Sequence, residues 1–83
     1  MTQQDILDAY PDEVFLFADG LDDAILGIDA SGSVPRVIYS VSKCVDIFTE
    51  QGMTAEEAVE YFEFNTRGAY MGDQTPIWCD DLF

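Results

Sequence analysis

The hydrophobic pattern of this chain changes its period near Ser42. Before that residue, apolar side chains alternate along two β-rich runs, residues 22–29 and 34–41, which flank four turn residues. After it, Cys44, Val45 and Phe48 follow Val41 at helical spacing. Alternation is typical of strands and a 3.6-residue period of helices. The pattern therefore predicts a hairpin followed by helices.

Capping and turn residues extend this prediction to the rest of the chain. Thr2 and Asp5 predict the start of a first helix that ends before Pro11. Thr54 and Glu57 form the pattern of a second capping box, and residues 75–79 read as a third strand. We predict one α+β domain over residues 1–83: a three-stranded antiparallel sheet of residues 22–28, 36–41 and 75–79, with about three helices packed on one face.

Alternation and helical phase also predict which side chains form the core. Ala24, Leu26 and Ile28 alternate onto one face of the first strand, whereas Ile25 and Gly27 lie on the other. The expected core residues are Ile6, Phe15, Leu26, Ile28, Ile38, Val41, Val45, Phe48, Val59, Phe62 and Ile77.

The charge balance limits what such a domain can bind. Seventeen Asp and Glu residues stand against three Lys and Arg, a formal net charge of −14, and the chain has no histidine. A field of this sign repels nucleic acid and anionic membranes, so neither is expected as a direct partner. Because the chain has no histidine, a Ser/Cys–His–Asp catalytic triad is excluded. High-salt habitat, solubility and a basic partner remain as explanations of the charge.

Acidic residues recur on one side of the predicted helix that begins after Thr54. Glu56, Glu60 and Glu63 follow one another at helical spacing, opposite Val59 and Phe62. Like charges at such positions cost roughly 0.2–0.5 kcal/mol per pair, and Arg67 is the one basic residue within reach. The preceding helix repeats the pattern with Asp46 and Glu50. These acids form either a solvated face or a phosphate-like array that occupies the nucleic-acid-binding channel of another protein.

A second acidic cluster, Asp19, Asp22 and Asp23, lies in a predicted turn. Aspartates in turns usually accept hydrogen bonds from nearby backbone N–H groups, and the spacing does not match that of an EF-hand. We include the three in the expected partner-binding surface and expect no metal, cofactor or catalytic residue. A cation-dependent phosphoryl-transfer enzyme stays open as a third reading.

The cysteines and the aromatic rings give weaker indications of cellular location and of an interaction surface. Cys44 and Cys79 lie among apolar neighbours, and no apolar run approaches 18 residues, so we expect a cytoplasmic protein with reduced thiols. Most rings should be in the core. Some of Tyr61, Phe64, Tyr70 and Trp78 are candidates for an exposed apolar patch beside the acids.

Three segments, LFADGLDDAILGI, RVIYSVSKCVDIF and GMTAEEAVEYFEFNTRGAYMGDQTPIW, resemble a family of small uncharacterised proteins from bacteriophages and prophages. The resemblance covers most of the chain. It implies a phage protein in the host cytoplasm, with no known enzymatic activity and no assigned functional residues.

Two functions follow as expectations. The first is a non-enzymatic protein that docks an acidic, nucleic-acid-mimicking face on a basic host protein, a nucleic-acid-binding or defence protein, and inhibits it. The second is a small structural or assembly protein, with a homodimer as one form, whose acids serve solubility or salt tolerance.

Overall fold

In the computed structural model, which describes residues 1–69 and 72–82, helices and strands follow the predicted α-β-β-α-α-β order. A short 3-10 helix, Asp22–Ala24, precedes the first strand, and a π-helix, Phe62–Arg67, continues the third α-helix. The elements are α1 Gln3–Ala9, β1 Ile25–Asp29, β2 Arg36–Ser40, α2 Val41–Glu50, α3 Ala55–Tyr61 and β3 Ile77–Cys79.

The three strands form a mixed sheet in the order β1-β2-β3. The predicted hairpin is confirmed, since β1 and β2 are antiparallel. The prediction of an antiparallel β3 is wrong, because β3 runs parallel to β2 with Tyr39 opposite Trp78. Both helices α2 and α3 lie between these strands, and such a crossover brings the chain back to start a parallel strand. Packing of all helices on one face stays a prediction.

A β-bulge in β1 changes which side chains face the core. Ile25 pairs with Tyr39 and Gly27 with Ile38, so that β1 has one extra residue, Leu26, between these pairs. The bulge leaves Leu26 exposed and places both Ile25 and Ile28 opposite fully buried residues of β2. The predicted core position of Leu26 is therefore wrong, and a single extra residue is the reason.

Helix ends follow the predicted caps. In α1 the Thr2 hydroxyl accepts from the backbone N–H of Asp5 at 3.3 Å, and the Asp5 carboxylate accepts from that of Thr2 at 2.8 Å. The turn after α2 contains Gly52 at a φ of 106°, a conformation that glycine adopts without strain. Strand β2 ends one residue early, because Val41 already belongs to α2 and Ser40 caps that helix.

The core draws side chains from α1, the segment before β1, strands β1 and β2, α2, α3 and the π-helix. Of the predicted core, Ile28, Ile38, Val59 and Ile77 are only half-buried. The alternation in β2 places Val37 and Tyr39 inward instead of Ile38. The buried apolar residues are Ile6, Phe15, Leu21, Ala24, Ile25, Val37, Tyr39, Val41, Cys44, Val45, Phe48, Ala58 and Phe62. The helical phase is confirmed, since Phe62 is buried and Glu60 exposed.

Candidate functional site

Helix α3 begins with the acidic side chains of the candidate site. The Thr54 hydroxyl accepts from the backbone N–H of Glu57 at 3.2 Å, and the Glu57 carboxylate accepts from that of Thr54 at 2.9 Å. These hydrogen bonds from Thr54 to the charged carboxylate lower the pKa of Glu57. Glu57 therefore has a structural role, whereas Glu56 and Glu60 are exposed on the same helix without such a role.

The continuation of α3 as a π-helix places two phenylalanines in opposite surroundings. Phe62 is 1% exposed, and Phe64 is 82% exposed. Tyr61 is also exposed, and with Phe64, Met53, Glu57 and Glu60 it lines a depression of about 360 Å³. The predicted aromatic patch beside the acids is thus present at Tyr61 and Phe64. Trp78 is half-buried, and Tyr70 lies outside the described residues.

Glu63 differs from the other two members of the predicted stripe. Its carboxylate pairs with the Arg67 guanidinium at 3.3 Å, and Arg67 also pairs with Asp80. The Arg67 guanidinium lies over the Phe62 ring, 5.1 Å from its centroid. Arg67 therefore offsets about one of the two negative charges at this end of the helix. Glu56 and Glu60 flank a shallow apolar groove with Ala55 and Val59, and they carry the unneutralised part of the stripe.

The remaining predicted site residues fall into separate surroundings. Asp46 and Glu50 line a depression of about 160 Å³ together with Asp23 and Lys43. Asp22 accepts hydrogen bonds from the side-chain amide of Gln3 at 3.0 Å and, more weakly, from its backbone N–H at 3.4 Å. Asp19 lines a different, aromatic cleft. The three aspartates of the 19–23 cluster therefore lie in different surroundings. Within residues 1–69 and 72–82, no group of three or more metal-ligating side chains occurs.

The basic residues that could neutralise these acids are largely engaged within the fold. The Arg36 guanidinium donates to the Thr75 carbonyl at 2.7 Å, beside the sheet. Arg67 is paired, which leaves Lys43 as the exposed positive side chain, and it lies among Asp23, Asp46 and Glu50. Within the part of the chain that the structure describes, Glu56 and Glu60 form no ion pair with these basic side chains.

An acidic residue near the end of the chain caps α2. The Asp81 carboxylate accepts from the Ser40 hydroxyl and, at 2.8 Å, from the backbone N–H of Ser42. These hydrogen bonds lower the pKa of Asp81, first through Ser40 and then through Ser42. Sequence reasoning missed this residue, since the contact joins positions far apart in the chain. A carboxylate at a helix N-terminus also interacts favourably with the helix dipole.

Asp81→Asn is expected to lower the melting temperature at pH 7 and to have little effect near pH 2. A lowered pKa in the folded state contributes stability above the unfolded pKa, and this stability is lost as the pH falls through the folded pKa. Thermal unfolding of both proteins across this pH range measures the difference. Asp73→Asn, which removes an exposed acid from the loop before β3, is the control for net charge. A difference that persists unchanged at about pH 2 would contradict the assignment.

The two thiols lie in different surroundings. Cys44 is buried as predicted, and burial, together with the nearby Asp81 charge, raises its pKa to about 11. Cys79 is exposed at the end of β3. A thiol with so high a pKa is almost wholly protonated at neutral pH, so Cys44 is poorly suited to act as a nucleophile.

Comparison with protein-family models, with curated proteins and with solved structures found no match. No helix within the described residues has the length and apolar character needed to cross a membrane. Glu56 and Glu60, together with the exposed rings of Tyr61 and Phe64, form the acidic α3 surface.

Proposed function

We propose that this chain is a non-enzymatic binding protein that docks its acidic α3 surface on a basic partner. The partner is a protein that binds nucleic acid through a positively charged channel, and the chain inhibits it by occupying that channel. In the phage context indicated by the resemblance, the partner is a host nucleic-acid-binding or defence protein in the host cytoplasm.

The observation that carries the proposal is an exposed aromatic ring among uncompensated carboxylates. Phe64 is 82% exposed and shares its depression with Glu57 and Glu60, while Glu56 lies beside Glu60 in the adjoining groove. Buried aromatic side chains supply much of the energy at protein interfaces, and surrounding charges steer the encounter. A ring with acids around it is complementary to an apolar site with basic residues around it.

The rest of the predicted surface contributes to the long-range field. Five further acids are exposed or half-buried. Two lie on α2, Asp46 and Glu50, and three lie on the segment before β1, Asp19, Asp22 and Asp23. At a net charge of −14 this field accelerates association with a basic partner and slows it with an acidic one. We therefore propose that α3 provides the contacts and that the other acids raise the association rate.

Self-association remains the second candidate, because an exposed Phe64 also suits a homodimer or a small assembly protein. Two copies that meet through the acidic α3 surface would place like charges together, which is unfavourable at low salt. Sedimentation at low and high salt tests this. A monomer at both salt concentrations agrees with the first function, and a dimer that forms as salt rises favours the second.

Capture from host lysate at low and high salt tests the first function. The basic partner should be retained at low salt and elute as salt rises, because screening shortens to about 3 Å at 1 M. Duplex DNA or RNA added to the captured complex should displace the chain if both occupy one channel. A partner that binds this chain and nucleic acid simultaneously would contradict mimicry.

Phe64→Ser is expected to weaken binding to the captured partner by at least about tenfold, because an aromatic hot-spot residue at an interface contributes about 2 kcal/mol or more. Stability should change by less than about 0.5 kcal/mol, since the ring is almost fully exposed. Val14→Ser is the matched control, because Val14 is 74% exposed and lies outside α3. Calorimetric titration measures both variants, and equal affinities would exclude Phe64 from the interface.

A further inference from the structure

A cleft of about 320 Å³ lies between the segment before β1, α2, the π-helix and β3. Four aromatic rings, those of Phe17, Phe48, Tyr61 and Trp78, contribute to its lining. Asp19 and Asn65 supply polar groups to the same cleft. This volume is at the small end of ligand-binding pockets, which suits a single side chain or a small organic molecule.

Packing holds the rings of the cleft in place. Phe48 and Tyr61 meet edge to face at 5.0 Å between centroids. Trp78 stacks on Tyr39 at 5.1 Å and meets the ring of Phe62 edge to face at 5.3 Å. The Tyr39 hydroxyl in turn accepts from the backbone N–H of Ala18, beside Asp19, at 2.8 Å. The walls are therefore largely preorganised, which lowers the entropic cost of binding a ligand there.

The chemistry of the lining selects a cation. Aromatic faces attract ammonium and guanidinium groups, and the attraction grows when the cation loses water. The carboxylate of Asp19 and the net charge of −14 add to it, and they oppose any anionic ligand. The basic residues of the chain contact other groups. Arg36 donates to the Thr75 carbonyl, and Arg67 pairs with Glu63 and Asp80. Lys43 lies in a different depression.

We infer that this aromatic cleft binds a guanidinium or alkylammonium group, and that the group is an Arg or Lys side chain of the basic partner. The second part rests on the proposed function. Tyr61 and Asn65 line both the cleft and the depression beside Phe64, so one partner segment can reach both. The partner would then be held by an apolar contact at Phe64 and by a cationic side chain in the aromatic cleft.

The chain's single tryptophan, Trp78, reports on the cleft without any partner. Titration with butylguanidinium at constant ionic strength should change its fluorescence saturably. Butylurea has nearly the same shape without the charge, and it should bind about three- to tenfold more weakly, as the energy of a cation–π contact implies. Asp19→Asn should weaken butylguanidinium binding by about two- to fivefold, the usual contribution of an exposed ion pair. Asp12→Asn, which changes an exposed acid that does not line the cleft, should leave it unchanged.

Equal binding of butylurea and butylguanidinium, or a response to butylguanidinium that never saturates, would overturn the inference. A capped Gly-Arg-Gly peptide separates the two sources of the cation. Binding at least as tight as that of butylguanidinium supports a side chain of the partner, and exclusion of the peptide overturns that assignment. Because these titrations contain no partner, their failure leaves the partner capture experiment intact, and a failed capture leaves the cleft result intact.

Discussion

Phe62→Ala is expected to lower the free energy of unfolding by about 3–5 kcal/mol, the usual cost of truncating a buried phenylalanine. Phe62 is 1% exposed, its ring meets Trp78 edge to face, and the Arg67 guanidinium lies over it. The substitution removes all of these contacts from the point where α3 continues as a π-helix. Domains of this size are stable by roughly 5–15 kcal/mol, so much of the total stability would be lost.

Phe64→Ala is the matched control for this prediction. It makes the same chemical change two residues further along the same π-helix, at a ring that is 82% exposed. Its stability should differ from the wild-type value by less than about 0.5 kcal/mol. Urea denaturation of the three proteins measures the difference. Similar losses in both variants would mean that the phase of the π-helix is wrong, and the exposed position of Phe64 would then have no support.

Much of the fold follows from local patterns in the sequence. Both capping boxes, the hairpin and the inward face of α2 depend on residues close together in the chain, and all are confirmed. The direction of β3 depends on how two helices cross the sheet. Hydrophobic patterns carry no direction, but a connection with two helices already favours a parallel strand. That signal was present in the sequence.

The wrong core position of Leu26 has one source, the β-bulge in β1. Alternation assumes that each residue of one strand faces one residue of the next, and the extra residue in β1 breaks that rule. Gly27 was the available signal, because glycine within a strand often marks a bulge.

The candidate site was predicted in part. Helical spacing identified the exposed positions of Glu56 and Glu60, and it identified Arg67 as the partner of Glu63. The aromatic cleft could not be predicted, because Phe17, Phe48 and Trp78 come from distant segments that only the tertiary fold brings together. For the same reason the sequence placed Asp19, Asp22 and Asp23 in one cluster, whereas the structure gives each a different environment.

The Glu56→Gln, Glu60→Gln, Glu63→Gln triple variant should leave the fold intact and strongly weaken binding to the basic partner. Each substitution lies on an exposed face outside the capping box, where changes cost less than about 0.5 kcal/mol. Loss of repulsion between Glu56 and Glu60 offsets part of the cost, while loss of the Glu63–Arg67 pair adds a little to it. Glu57 is kept because its carboxylate accepts from the Thr54 backbone, and its loss would confuse stability with binding.

Net charge alone could weaken binding, so the control removes the same number of charges elsewhere. Asp12, Glu13 and Asp73 are exposed and lie outside α3, and their amide variants change the net charge equally. Association rates measured at several salt concentrations distinguish the two triple variants. We expect the α3 variant to lose affinity by at least about tenfold, and its association rate to lose most of its salt dependence. The control variant should lose less affinity and less salt dependence. If both variants bind as tightly as the wild type with the same salt dependence, the stripe is a solvated face and the partner recognises another surface.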